Sequence, residues 1–128
     1  MDLTVLAIAG CPHAALLERR LAAALVGGPP AVIIRRVITD PEEAARAGLH
    51  GSPTVLVDGR DPFAAPGQPA SMSCRLYDNG AGLLEGAPSV GQLRQAIGHA
   101  QLADDERPAD ERAGTGGRVM GGRMTAGG

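Results

Sequence analysis

The 128-residue chain contains no lysine and no tryptophan. It has one phenylalanine, Phe63, one tyrosine, Tyr77, and two cysteines, Cys11 and Cys74. All twelve basic residues are arginine, and against fourteen acidic residues they leave a net charge of −2. That balance excludes a basic nucleic-acid-binding surface. Two cysteines make at most one bridge, so a disulfide-framed secreted scaffold is excluded as well. With so few aromatic rings, a core must be built from Leu, Val, Ile and Ala. The first apolar run stops at Gly10, well short of the ~20 residues of a membrane span. Asp2 stands where a signal peptide carries basic residues, and the expected location is cytoplasmic.

What is present begins with Leu3-Thr4-Val5-Leu6-Ala7-Ile8-Ala9, an apolar, partly β-branched run that predicts a buried strand. Ala14 to Val26 predicts an amphipathic helix, with Leu16, Leu17, Leu21, Ala24 and Leu25 on one side. Between them lies Gly10-Cys11-Pro12-His13. Pro12 suits a first helical turn, where its missing N–H has no partner to lose. Cys11 then sits at the helix N-terminus, where unpaired N–H groups and the helix dipole favour a thiolate over a thiol. The competing reading is a buried cysteine that merely packs. His13 is either a group that steadies the thiolate and relays its proton, or an exposed first-turn residue.

Glycines and prolines at Gly27-Gly28-Pro29-Pro30 end that helix, and residues 31–38 predict a second strand covered on both faces. Thr39-Asp40-Pro41-Glu42-Glu43 is a helix start, and Gly48 ends the short helix. Leu49-His50-Gly51-Ser52-Pro53 predicts a loop, Thr54–Val57 a third strand and Asp58-Gly59 a turn. Residues 60–73 are proline-dense and predict an irregular loop. Cys74–Tyr77 and Leu83–Gly86 predict short strands, and Ser89 caps a last helix over Val90–Ala100. His50 and His99 read as surface residues, with no metal-ligand spacing. The expected organisation is one domain over 1–101 and a disordered Gly/Arg-containing tail over 102–128.

Four features, in order, resemble the thioredoxin-like superfamily. They are the strand leading to Cys11-Pro12, the helix at Asp40–Arg46, Gly51-Ser52-Pro53-Thr54 before an apolar strand, and Gly86-Ala87-Pro88-Ser89 before the last helix. The resemblance implies an α/β, thioredoxin-like fold with a central mixed sheet of about four strands flanked by helices. It implies thiol-dependent redox or thiol-transfer chemistry at Cys11, with Pro12 and His13 beside it. It also implies a cis Pro53 facing Cys11, and a Ser52 backbone free to pair with an incoming chain; an ordinary trans proline is the competing reading. The family's Cys-x-x-Cys is incomplete, because Ala14 holds the fourth position. Cys74 is then a resolving thiol, a second soft ligand or a buried strand residue. The chain also resembles small bacterial thioredoxin-like proteins that carry an alkylmercury lyase name. On that alternative, Cys11 and Cys74 would hold mercury, and Asp61 or Asp78 would protonate the leaving carbon. A third reading keeps the fold as a non-catalytic binding module. The partner implied is a thiol or disulfide, protein or small molecule, with no cofactor, metal, nucleic acid or membrane.

Overall fold

The computed structural model describes residues 1–105. Residues 1–98 form one compact unit; of the second, 99–128, only the continuation of the last helix is described. The expected tail beyond Asp105 lies outside the described residues. The fold is mixed α/β. Its strands are β1 (Asp2–Ile8), β2 (Val32–Ile38), β3 (His50–Ser52), β4 (Thr54–Val57), β5 (Ser71–Cys74), β6 (Tyr77–Asp78) and β7 (Leu84–Glu85). Its helices are α1 (Ala14–Ala24), α2 (Pro41–Ala47) and α3 (Val90–Asp105).

The main sheet has three strands, ordered β2-β1-β4, where about four were expected. β1 runs parallel to β2, with Leu3 opposite Ile33 and Ile8 opposite Ile38, and antiparallel to β4, with Leu6 opposite Thr54. The remaining strands pair apart from it, β3 parallel to β5 and β6 antiparallel to β7. Four elements therefore differ from expectation. His50–Ser52 is strand and not loop. Ser71–Cys74 is strand inside the proline-dense stretch. The expected strand Cys74–Tyr77 is broken at Arg75 and Leu76. Finally, α3 runs five residues beyond Ala100.

The alternation of β1 divides the core. Leu3 and Val5 are buried on one face, and α1 packs on this strand with Leu17 and Leu21 fully buried. On the other face Leu6 joins Ile38, Ala44 of α2 and Leu49, with Ile8, Leu56 and Met72 against them. β2 is not covered on both faces as expected. It is an edge strand whose Ile38 is buried while Val32, Ile34 and Val37 stay about half exposed. The short α2 closes only the Ile38 end of that face.

Local chemistry explains the boundaries. The Asp40 carboxylate accepts from the Glu43 N–H at 2.8 Å, and Gly48 at φ 85° ends α2 in the left-handed region. Ser89 and Gln92 form a reciprocal capping box at the start of α3, at 3.1 and 2.9 Å. Asp58 and Gly59, both with positive φ, make the two-residue turn that returns Arg60 to Val57.

Three surface glutamates lie below their ordinary value of 4.5. Glu18 is lowered chiefly by hydrogen bonds from Arg35, Glu43 by the Thr39 backbone N–H and Glu85 by Arg20. A carboxylate depressed in the folded state stabilises it above the unfolded value, and that contribution disappears as pH falls through the folded value. Thermal stability is therefore expected to decline below about pH 4.5. The decline should be shallower in the triple variant Glu18→Gln, Glu43→Gln, Glu85→Gln. Melting curves by circular dichroism from pH 7 to 3 check this; identical acid limbs for the two proteins would refute it.

Candidate functional site

The turn that carries Cys11 is built by the end of β1. The Cys11 N–H donates to the Ile8 carbonyl at 3.2 Å, and Gly10 takes φ 74° at the third position, as a type II turn requires. Cys11 is half-buried and unbridged, while Ala9, Gly10 and Pro12 around it are exposed. His13 is the N-cap residue of α1, but its side chain makes no capping bond, and the first turn of α1 holds no acidic residue. Asp40 and Ser89 cap the other two helices. Among the described residues the first amides of α1 therefore have no side-chain cap, and Cys11 lies two residues before the N-cap position.

His13 is half-buried and not an exposed first-turn residue. Its ring lies flat against Gly86, and its Nδ1 is buried with no hydrogen-bond partner among the described residues. The segment beneath it is held by Arg20 of α1, which donates to the Ala87 and Pro88 carbonyls at 3.1 and 3.2 Å and to Glu85 at 2.8 Å. The last-helix entry that the sequence placed far from Cys11 thus abuts its neighbour.

Ser52 and Pro53 are fully buried and joined by a cis bond, as the resemblance implies. The Ser52 hydroxyl accepts from the Ile8 N–H at 3.0 Å, which ties this loop to the strand end that bears Cys11. The expectation of a free Ser52 backbone is wrong. Its carbonyl accepts from the Arg75 N–H at 3.0 Å, and Ser52 stands in register with Cys74 of β5. Cys74 is therefore not a buried strand residue: it is exposed, on the strand that flanks Ser52.

A buried polar cluster holds β5 there, and most of it was missed in the sequence. Arg75, 7% exposed, pairs with Asp61 at 2.6 Å, with the Asp61 side chain 3% exposed. Arg75 also donates to Thr54 Oγ1 at 3.3 Å and to the Phe63 carbonyl at 3.0 Å. His50, expected at the surface, is instead half-buried with its Nδ1 2.8 Å from Asp61. The chain's only two aromatic rings meet here edge to face, 5.7 Å apart, and the Arg75 guanidinium lies 4.5 Å over the Tyr77 ring. The Tyr77 hydroxyl donates to the Pro53 carbonyl at 2.6 Å. Burial pushes that hydroxyl well above its ordinary range; Arg75 opposes the shift, and the charges of Asp61 and Cys11 add to it. Arg35 is raised chiefly by its bond to Glu18, and to a lesser degree by the Cys11 charge. The one cue in the sequence was the chemically dense stretch Ser71–Tyr77.

The two acids named for the alkylmercury alternative stand in different surroundings. Asp61 Oδ2 is taken by Arg75 and His50, and Oδ1 by the Phe63 N–H at 2.9 Å. Asp78 is exposed and accepts from the Gly80 N–H. Among the described residues no three His, Cys, Asp or Glu side chains converge as a metal site, and no helix is long and apolar enough to cross a membrane. Comparison with protein-family models, with curated proteins and with solved structures finds no match.

Proposed function

We propose that this protein is a thioredoxin-like thiol–disulfide exchange protein acting through Cys11. The observation that carries the reading is a half-buried, unbridged cysteine three residues before the start of α1, whose N-terminus has no side-chain cap: a helix N-terminus suits an anion, and a thiolate is the anion the nearby sequence can supply. The parallel β1–β2 pair and antiparallel β4 support the family resemblance. Cys74 is the second thiol of the scheme, on the strand in register with Ser52.

In the first step the Cys11 thiolate attacks one sulfur of a disulfide R–S–S–R. A Cys11–S–S–R bond forms, the substrate S–S bond breaks, and RS⁻ leaves and takes a proton from solvent. In the second, Cys74, as thiolate, attacks the Cys11 sulfur. The Cys11–Cys74 bond forms and the second RS⁻ leaves. Two protein thiols are oxidised and one disulfide is reduced to two thiols. An external low-molecular-weight thiol restores the reduced protein by the reverse chemistry.

The test is the reaction of the reduced protein with hydroxyethyl disulfide. The unaltered chain is expected to release two equivalents of thiol. Cys74→Ser should stop at one equivalent with the adduct on Cys11, and Cys11→Ser should react at least tenfold more slowly. Equal rates for Cys11→Ser and the unaltered chain would refute the proposal.

A further inference from the structure

The strand tied to the end of β1 that carries the Cys11 turn is already paired by the chain itself. An extended polypeptide reaches a buried site most economically by adding a strand to an open edge, where its backbone supplies the binding. The strand already paired is β3, which pairs with β5 apart from the main sheet and is tied to the end of β1 through Ser52 Oγ and Ile8. Its outward acceptors are taken: the Ser71 N–H donates to the Leu49 carbonyl at 2.9 Å and the Arg75 N–H to Ser52 at 3.0 Å. The fit is close. Gly51 sits at φ 104°, and a Cβ there would lie 2.8 Å from Arg75 Cβ and 3.3 Å from the Ser73 carbonyl. Removing β5 would also pull Arg75 from Asp61, Thr54 and the Phe63 carbonyl. The outer edges of β2 and β4 do not substitute, because a strand added to either would run two strand spacings, about 10 Å, from β1. What remains open around the sulfur is the exposed turn of Ala9, Gly10 and Pro12.

We propose that Cys11 exchanges with low-molecular-weight disulfides and discriminates against extended polypeptide disulfides, because β5 fills the edge on which a polypeptide would be seated. This rests on the thiol-exchange reading above. The step is the first half of that scheme: Cys11–S⁻ attacks R–S–S–R, a mixed disulfide forms and RS⁻ leaves.

The experiment uses the full chain carrying Cys74→Ser, so that only Cys11 reacts. Formation of the mixed disulfide is followed by mass spectrometry with glutathione disulfide and with a disulfide-linked pair of extended peptides of matched charge. Amide hydrogen exchange at Ser71 and Arg75 is read in parallel. The expected result is a second-order rate at least tenfold higher for glutathione disulfide, with both amides protected throughout. Equal or faster reaction with the peptide pair overturns the inference; loss of protection at Ser71 and Arg75 in that case identifies β5 as a segment that substrate displaces. Absence of any Cys11 adduct with either reagent overturns the thiol-exchange reading itself, and this inference with it.

Discussion

Replacing Asp61 with alanine is expected to lower the stability of the fold by about 3–5 kcal/mol, the usual consequence of stranding one member of a buried ion pair. Arg75 is 7% exposed, and the Asp61 side chain that neutralises it is 3% exposed at 2.6 Å. Without that carboxylate the guanidinium keeps only the Thr54 hydroxyl and the Phe63 carbonyl as acceptors. His50 and the Phe63 N–H lose their acceptor in the same substitution. A loss of that size is a large share of the roughly 5–15 kcal/mol that holds a domain together. The companion variant Asp61→Ala, Arg75→Met removes both charges and keeps apolar bulk against the Tyr77 ring. It should recover at least half of the loss, since a buried pair replaced by apolar groups is often close to neutral. Urea unfolding with an unchanged slope is the measurement. A cost below about 1 kcal/mol for Asp61→Ala would place the pair among exposed ones and remove the anchor assigned to β5.

Gly86→Ala is expected to destabilise by about 3 kcal/mol, the upper end of what an overpacked site costs. A Cβ at position 86 would overlap the His13 ring and stand 2.5 Å from its Nδ1. Neither side yields easily. Arg20 clamps the chain at Glu85, Ala87 and Pro88, and His13 is the N-cap of α1. Gly86 does not occupy the left-handed region, so the effect is steric and not conformational. The double variant His13→Ala, Gly86→Ala should therefore be close in stability to His13→Ala alone. A double-mutant cycle from denaturant midpoints gives the coupling directly. Additive losses would show that the ring and the glycine do not meet.

The second prediction also bears on the site. The sequence presents His13 either as a partner of the Cys11 thiolate or as an exposed first-turn residue. Its Nδ1 is buried without a hydrogen-bond partner among the described residues, and its ring seats on Gly86. If Gly86→Ala displaces the ring, Cys11 should react with alkylating agents at a changed rate even where the domain remains folded.

What the sequence determined by itself is local. The strand before Gly10, the start of α1 at Ala14, the Asp40 and Ser89 caps, the Gly48 stop and the Asp58-Gly59 turn are all written in short patterns whose partners lie within a few residues. Cys11 between strand and helix is legible for the same reason. What only the tertiary structure decided is pairing across distance. β5 lies in a proline-dense stretch with no strand period, and it becomes a strand because β3 offers it acceptors. Arg75 and Asp61 look like surface charges until the thirteen residues between them fold the pair together out of water. β2 reads as a fully covered strand because its composition is apolar, yet it lies at the edge because no later strand among the described residues pairs beyond it. Periodicity and capping record the torsions and nearest hydrogen bonds of a segment. They carry no information on which edge another segment will fill, and that choice set the surroundings of Cys11.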